Sequence, residues 1–473
     1  MSWSEWLVRH FAFPLHEAVR KRDTLRQMRA FERWLAAPEH TDTQRSRLAA
    51  QLRFAAALPF YAARFARYGV DPHGSNPAAE LAKLPVLTKA DIRAGAAGML
   101  NPRVRGGLVP AITGGTTGQT LRFYTDQIRA AETMGARLCL HQRLDVRPGD
   151  RRAYVWGSPI EVRVARVKRW RDRLLNELVL NCFELGPAQM DAHLARLRRY
   201  QPRLMYGFSS ALALLARHGA QRYRPGDFPA LRAVVATGEP LTLDQRTQIG
   251  ATFGAPVIAE YGARESGLIG YECPHKALHV LTRNVYLEVL VAGRPTPPGV
   301  VGEIVCTPLN AWAQPLLRYG QGDLGALASP AEAAACPCGW RLPILRLESG
   351  RTNGFIALPG GRLCSGVIAS YICRDQPGVL QYRMHQRTVD DFDISIVPGA
   401  GFGLATRQTI EERCRRLCGP QVRVHWRVVD QIPAQASGKR SDFVSDVASD
   451  YTRFEVVQPS AVLAAAGLGA ERG

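Results

Sequence analysis

The sequence predicts an α/β protein with a large, multi-layer N-terminal domain, in which β-sheets are flanked by helices, and a small α+β C-terminal domain. The chain has 473 residues, enough to bury a large core and more than one ordinary domain needs. Short apolar runs of strand character alternate with segments at helical spacing, which is typical of layered α/β folds. Its 46% hydrophobic and 22% charged residues are those of an ordinary globular protein.

Residues 1–80 are predicted to form a helical extension that packs on the main domain. Residues 30–37 and 44–68 carry apolar side chains at helical spacing, with arginines between them. Four aromatic residues near the start suit either a membrane surface or the protein's own core, and we expect the core. They are Trp3, Trp6, Phe11 and Phe13.

The main domain is predicted to span residues 81–350. Strand-like and helix-like segments alternate in it, which indicates a sheet covered by helices. The predicted strands are 152–156, 231–236 and 256–260, and the predicted helices are 189–200 and 209–218. Residues 285–291 and 302–307 are predicted to pair as strands of a smaller β unit.

A smaller domain of mixed α/β character is predicted over residues 351–457. Its predicted elements are strands at 393–397 and 422–429 and a helix at 409–417. The last segment, residues 458–473, is rich in alanine and glycine, and we expect a flexible tail there.

Composition and charge restrict the class of protein. No apolar run approaches the ~20 residues of a membrane span, and the N-terminus lacks the pattern of a secretory signal. The ten cysteines do not suggest a small secreted disulfide framework, so we expect a cytoplasmic location. The net charge is +20, and its densest basic patch is 163–173. A solvated helix face is the favoured interpretation of this patch, and a steering surface for ATP, CoA or a membrane is the alternative. No motif of a nucleic-acid reader is present, so no nucleic-acid partner is expected.

The segment Ile112–Thr120 holds three glycines and four threonines. Glycine lets the backbone approach a ligand closely, and threonine hydroxyls and free N–H groups suit a polyphosphate. The Gly-Lys-Ser/Thr ending of a Walker A loop is missing. The segment therefore indicates a phosphate-binding loop of another kind.

Five further motifs follow this loop in a fixed order. They are Thr237-Gly238-Glu239-Pro240, Glu260-Tyr261-Gly262-Ala263-Arg264-Glu265, Arg318-Tyr319-Gly320-Gln321-Gly322-Asp323, Gly350-Arg351-Thr352-Asn353 and Ser437-Gly438-Lys439. Together with the loop they resemble the motifs of the adenylate-forming superfamily, above all its phenylacetate–CoA ligase branch and the related capsule-biosynthesis proteins. The likeness runs from about residue 84 to residue 444.

The resemblance implies a ligase that activates a carboxylic acid with ATP to an acyl-adenylate and then passes the acyl group to CoA. It also implies the adenylate-forming fold, in which the C-terminal domain is a mobile lid. Catalytic roles fall on Lys439 of the lid, on Glu265 as the Mg²⁺ ligand, and on Arg351 at the domain junction. The ATP- and AMP-binding residues would be Thr113, Gly114, Gly115, Thr116, Thr117, Gly118, Gly238, Glu239, Pro240, Tyr261, Gly262, Asp323 and Arg351.

The resemblance also assigns an acid pocket and a hinge. The acid-pocket residues would be Tyr206, Phe208, Ser209, Ala236 and Ala259. Asn353 stands at the hinge of the lid, and the branch suggests an aromatic or bulky organic acid as substrate. Two departures from the family mildly favour an amine or hydroxyl acceptor over CoA. Gln119 replaces a frequent lysine, and the segment 358–368 lacks the expected acidic residue.

Cysteine and histidine spacing predicts a structural zinc site. Two cysteines flank Pro337, and Cys-x-Cys is less specific than Cys-x-x-Cys. Three thiolates and one imidazole make a closed tetrahedral set, which implies a structural role for the metal. The chosen ligands are Cys273, His279, Cys336 and Cys338, with His275 as the alternative to His279. Ordinary buried thiols are the competing interpretation.

Three interpretations other than a CoA ligase remain open. They are an amide- or ester-forming ligase, a catalytically inactive nucleotide-binding homologue, and a basic nucleic-acid or membrane-surface protein, which rests on the charge alone. Glu265, Asp323, Arg351 and Lys439 occur together, which argues against the inactive homologue, because a binding protein does not need the lid lysine. The sequence leaves a homodimer as an open alternative to a monomer.

Overall fold

Helices cover both faces of a seven-stranded sheet at the centre of the molecule. The computed structural model describes residues 3–112, 121–156, 165–182, 185–351, 355–365, 368–373, 376–433, 442–447 and 455–457. Within them the strands are β1 Val109–Ile112, β2 Arg122–Thr125, β3 Arg152–Val155, β4 Glu177–Leu180, β5 Leu204–Phe208, β6 Ala233–Thr237, β7 Val257–Ala263, β8 Gly267–Glu272, β9 Leu278–Val280, β10 Val285–Val291, β11 Arg294–Pro295, β12 Gly302–Pro308, β13 Tyr319–Leu327, β14 Leu345–Arg351, β15 Phe355–Leu358, β16 Arg362–Ser365, β17 Val379–Gln386, β18 Asp391–Pro398, β19 Arg423–Val428, β20 Phe443–Ser445 and β21 Glu455–Val457.

The α-helices of the described residues carry the cores on both sides of this sheet. They are α1 Trp3–Leu7, α2 Phe13–Val19, α3 Thr24–Leu35, α4 Thr41–Ala56, α5 Pro59–Tyr68, α6 Pro77–Ala82, α7 Lys89–Gly95, α8 Gln127–Gln142, α9 Ala165–Leu174, α10 Pro187–Tyr200, α11 Ser209–Gly219, α12 Leu243–Phe253, α13 Pro330–Ala334, α14 Ile368–Cys373 and α15 Leu404–Cys418. A π-helical turn, Val8–Ala12, joins α1 to α2, and 3₁₀ turns lie at Ala96–Met99 and Pro225–Asp227.

The central sheet has the order β4-β3-β5-β6-β7-β8-β9. The pairs from β4 to β7 are parallel, and β8 and β9 complete the sheet antiparallel. Helices α10, α11 and α12 bury one face, and α3 and α8 bury the other. Because the parallel strands are covered on both sides, most of their residues are apolar. These features confirm the predicted α/β fold class.

A second sheet, of order β11-β10-β12-β13-β14, is antiparallel and packs beside the first. Its strand β10 has the bounds that the sequence predicted. Residues Asp323 and Arg351 are opposite each other in the β13–β14 pair. The sheet therefore brings two of the predicted nucleotide-binding positions together, although they are far apart in the sequence.

The C-terminal region contains a four-stranded sheet, β19-β18-β17-β20, covered by α14 and α15. The β15–β16 hairpin packs near it, and Ala357 of β15 contacts Leu324 of the main domain in a small apolar cluster. Strand β18 and helix α15 cover the segments predicted as strand 393–397 and helix 409–417, and β19 lies within the predicted strand 422–429.

Two predictions for the N-terminal helices need correction. The predicted helix 44–68 is two helices, α4 and α5, because Pro59 begins a new helix after an extended Leu58. The expectation that the early aromatic residues enter the core is wrong for Trp3, Trp6 and Phe11, which are exposed. Phe13 is partly buried against the core. Among the described residues, none of the helices is long and apolar enough to cross a bilayer.

Candidate active site

A hydrogen bond joins two of the predicted nucleotide-binding residues. The hydroxyl of Tyr261, on β7, donates to Oδ2 of Asp323, on β13, over 2.9 Å. Both side chains are half-buried at the edge where the central and second sheets meet. Since Asp323 also stands opposite Arg351, three predicted positions converge here. The side chain of Arg351 lies outside the described residues.

Glu265 lies in the turn after β7 and is buried. Its Oε1 accepts a hydrogen bond of 3.1 Å from the Tyr319 hydroxyl, and its backbone carbonyl accepts one of 2.6 Å from Arg129 Nη2. Burial lowers the pKa of Arg129 to about 10, so this guanidinium remains charged at neutral pH. Its buried Nη1 has no hydrogen-bond partner among the described residues. A carboxylate and a buried cation therefore stand side by side at this turn.

The predicted phosphate-binding loop begins beside Glu265. Arg264 Nη1 donates a hydrogen bond of 2.8 Å to the carbonyl of Ile112, the last residue of β1. The loop itself, residues 113–120, lies outside the described residues. Its two ends are strands β1 and β2, which pair antiparallel and so bring Ile112 opposite Arg122.

A glycine is required at two positions around this site. Gly238 has a φ of +76°, a conformation that suits the turn after β6 and that other residues rarely adopt. At Gly262 an added Cβ would lie 2.6 Å from the carbonyl oxygen of Gly267. The backbones of β7 and β8 thus approach too closely there for any other residue.

The segment predicted to line adenine is tied to helix α11. Glu239 Oε2 accepts from the backbone N–H of Ser210 at 2.9 Å, and its carbonyl accepts from the Ser209 hydroxyl at 3.1 Å. Asp or Glu at a helix N-terminus is stabilising, since the first N–H groups lack helical partners. Pro240, the last of the motif, is exposed.

The five predicted acid-pocket residues do not share one surface. Phe208 and Ala236 belong to the core beneath α10–α12, whereas Tyr206 faces the opposite core. The indole of Trp156 connects them, stacking on Phe208 at 4.1 Å and lying 6.0 Å from the Tyr206 ring. Ser209 is fully buried, and Ala259 is half-buried. The pocket itself stays a prediction.

A buried ion pair lies behind Tyr206. Arg137, on α8, forms a bidentate pair with Glu260, whose Oε1 also accepts from the Tyr206 hydroxyl at 2.7 Å. Burial alone would lower the pKa of Arg137, but the Glu260 carboxylate raises it above the usual value. Burial raises the pKa of Tyr206, so its hydroxyl stays protonated and donates the hydrogen bond to Glu260. The pair fixes β7 just before Tyr261.

Four predicted metal ligands meet at one point. The ligand atoms of Cys273, His279, Cys336 and Cys338 all lie within 4.8 Å of one another. His279 Nδ1 contacts the carbonyl of Leu342 at 2.9 Å, which favours a proton on that nitrogen and leaves Nε2 as the ligand atom. Burial raises the pKa of Cys338 to about 12, and neighbouring thiols act in the same direction. The alternative ligand, His275, is exposed and outside this cluster.

Several predicted site residues are not among those that the structure describes. Thr113, Gly114, Gly115, Thr116, Thr117, Gly118, Asn353 and Lys439 lie outside the described residues. The structure also gives hydrogen-bond partners to four residues for which the sequence predicted no role. Tyr319 and Arg264 stood within recognised motifs, but nothing in the sequence indicated their partners. Arg129 and Arg137 carried a weaker signal, as arginines on a helix whose buried residues are mostly apolar.

Comparisons with known proteins relate this geometry to a family. The model of a protein family described as "AMP-binding enzyme" matches residues 175–308 of this chain. Protein CapK of Staphylococcus aureus is 22% identical over 379 residues, which are 78% of this chain and 81% of CapK. Phenylacetate-coenzyme A ligase of Thermus thermophilus is 26% identical over 315 residues, 64% of this chain and 68% of that ligase.

A solved structure agrees at the level of the fold. 2-Hydroxyisobutyryl-CoA ligase, in the postadenylation state with 2-HIB-AMP, superposes with a TM-score of 0.66 and 19% identity, covering 87% of this chain and 90% of its own. These comparisons confirm the likeness to the adenylate-forming superfamily that the motifs predicted, and they confirm the fold.

Proposed function

We propose that this chain, which has the fold of the adenylate-forming ligases, activates a carboxylic acid with ATP and releases pyrophosphate. The observation that carries the proposal is the hydrogen bond between Tyr261 and Asp323, with Arg351 opposite in the next strand. In this arrangement the phenol offers a flat face to a base, and the carboxylate can accept from both ribose hydroxyls.

The chain's own residues address the main difficulty of adenylation, which is the approach of a carboxylate to the polyanionic ATP. Loop 113–120 would supply N–H and hydroxyl donors to the β- and γ-phosphates. Lys439 would bridge the acid and the α-phosphate, and buried Arg129 adds positive charge behind Glu265. Charges and donors that are already oriented stabilise the transition state most effectively.

The fold family implies Mg²⁺, and the residues at Glu265 fit it. A buried carboxylate at the end of the phosphate-binding loop offers the hard oxygen ligand that this ion prefers. When bound, Mg²⁺ would neutralise charge on the departing pyrophosphate. Tyr319 orients the carboxylate by its hydrogen bond.

We further propose a bulky or aromatic organic acid as substrate and CoA as acceptor. Support comes from the sequence likeness to a phenylacetate-coenzyme A ligase and from the aromatic side chains of Trp156, Tyr206 and Phe208 near the predicted pocket. An amine or hydroxyl acceptor is the second candidate, favoured by Gln119 and the altered segment 358–368. The cytoplasm remains the proposed location.

A structural Zn²⁺ at the four-ligand cluster is also proposed. Three thiols and one imidazole form the donor set of closed zinc sites. The cluster joins the turn after β8 to the segment before β14, so the metal would fasten the second sheet to the first.

The decisive experiment measures pyrophosphate release from ATP with aryl, indolyl and fatty acids, with and without CoA. We expect acid-dependent release that falls on the order of 10²–10³-fold in Lys439→Ala. AMP release that needs CoA would identify the thioester reaction, and release driven by an amine would identify the alternative. Wild-type protein that binds ATP but releases no pyrophosphate with any acid would support an inactive homologue.

A further inference from the structure

The N-terminal helix, residues 3–19, exposes an apolar stripe to solvent. Apolar side chains recur at every fourth position along it, and the exposed fractions run from 36% at Leu7 to 76% at Trp3. The members of the stripe are Trp3, Leu7, Phe11, Leu15 and Val19. Such a row of large apolar side chains on a surface usually marks an interaction site.

The π-helical turn helps to keep the side chains of the stripe on one face of the helix. A repeat of four residues exceeds the 3.6 residues of an α-helical turn, so this stripe would drift around a regular helix. The turn Val8–Ala12 is wider, and it takes up part of the drift. π turns inside α-helices occur frequently at functional sites.

The face of the helix that contacts the main domain is largely polar, although Val8 is buried and Phe13 is partly buried there. Arg9 donates to Asp150 Oδ1 and to the Pro148 carbonyl, each at 2.8 Å, and Glu5 pairs with Arg203 at 3.6 Å. An ordinary surface helix turns its apolar side inward. Here most of the large apolar side chains lie on the outer face instead, and the apolar stripe contacts no core.

Basic residues border the stripe. Arg20 and Lys21 follow it directly and are exposed, and helix α9 contributes exposed Arg173. Asn176, just after α9, donates a hydrogen bond of 2.8 Å to the Gly149 carbonyl, and a Cβ added to Gly149 would lie only 2.7 Å from the backbone nitrogen of Arg9, so the end of α9 lies close to the N-terminal helix. Helix α9 adds a second apolar pair, Trp170 at 69% and Leu174 at 62% exposed.

We propose that the N-terminal helix and α9 together form a docking surface for an anionic membrane, with the helix lying in the plane of the interface. Trp and Leu side chains would enter the headgroup boundary, while the flanking arginines and Lys21 meet lipid phosphates. The net charge of +20 favours the same partner. A second copy fits less well, because an isologous contact would place like charges against each other. This inference does not depend on the reaction proposed above.

Vesicle sedimentation of the full-length protein tests the proposal. We expect wild-type protein to bind mixed phosphatidylglycerol–phosphatidylcholine vesicles and to bind pure phosphatidylcholine much less. The variant Phe11→Ser/Leu15→Ser should bind at least about tenfold more weakly, since each buried methylene contributes to partition. Arg20→Glu/Lys21→Glu should lose at least about tenfold on anionic vesicles only, and added salt should weaken wild-type binding.

The matched control is Leu404→Ser, which removes an apolar side chain of similar exposure, 72%, from the C-terminal region. It should bind vesicles like the wild type. The proposal is overturned if wild-type protein binds neither kind of vesicle, or if Leu404→Ser loses as much binding as Phe11→Ser/Leu15→Ser. It is also overturned if sedimentation without lipid finds a dimer that Phe11→Ser/Leu15→Ser converts to monomer, because the stripe would then be covered by a second copy.

Discussion

At the scale of single residues, the Tyr261 hydroxyl holds the Asp323 carboxylate in place. We expect Tyr261→Phe to raise the KM for ATP about two- to tenfold, because a hydrogen bond of this kind contributes about 0.5–1.5 kcal/mol. Asp323→Asn should raise it further, since the ribose hydroxyls would lose an acceptor oxygen. Pyrophosphate release at varied ATP measures both. An unchanged KM in the two variants would remove Asp323 from the nucleotide site.

The loss of Arg137 should destabilise the central sheet, because its partner Glu260 is buried. The Glu260 side chain is only 1% exposed, so Arg137→Ala leaves a buried carboxylate without its charged partner. Such losses cost about 3–5 kcal/mol. Urea unfolding should show this decrease in the free energy of unfolding.

The control for Arg137 is Arg346→Ala, which breaks an ion pair whose side chains are about half exposed. Exposed pairs contribute little, so its unfolding midpoint should stay close to that of the wild type. Equal losses in the two variants would mean that the Arg137–Glu260 pair has no special role.

At the scale of elements, the four-ligand cluster joins the turn after β8 and strand β9 to the loop before β14, which is distant in the sequence. We expect about one zinc ion per chain in protein purified without chelator, and we expect Cys338→Ser to lose both the metal and several degrees of Tm. Mass spectrometry of metals and thermal unfolding measure these effects. His275→Asn is the control and should keep the metal, because His275 is outside the cluster. Full zinc content in Cys338→Ser would contradict the site.

Local sequence patterns predicted helices and strands well, but they predicted poorly which side chains contact each other across the fold. Strand β10 was predicted with its observed bounds, and the four cluster residues were chosen from ligand type and spacing alone. The pairing of Arg137 with Glu260 was missed, because contact between a helix and a distant strand leaves no periodic signal. The N-terminal aromatic residues were misplaced for a related reason: periodicity shows that a helix has an apolar side, and not which side faces the protein.

At the scale of the whole molecule, the C-terminal region contacts the main domain through a hydrogen bond and a small apolar cluster, with a cavity beside them. Arg217 Nη1 donates to the Leu380 carbonyl at 3.1 Å, and a cavity of about 270 Å³ remains between the two parts. Ser210 and Asp244 line it from the main domain, and Tyr382 lines it from the C-terminal region. A boundary that combines a few polar contacts, a small apolar cluster and a cavity is compatible with rotation of one domain against the other.

The predicted hinge residue, Asn353, gives the last prediction. If the two half-reactions need two poses of the lid, Asn353→Pro should block passage between them, because proline restricts φ to about −65° and stiffens the preceding residue. We expect acid-dependent pyrophosphate release in a single turnover to stay within a few-fold of the wild type, while transfer to the acceptor falls at least about 100-fold. Asn353→Ala leaves the backbone free to rotate and should keep both steps. Equal loss of both steps in the proline variant, with the alanine variant active, would mean that Asn353 supports the adenylation pose itself and does not act as the hinge.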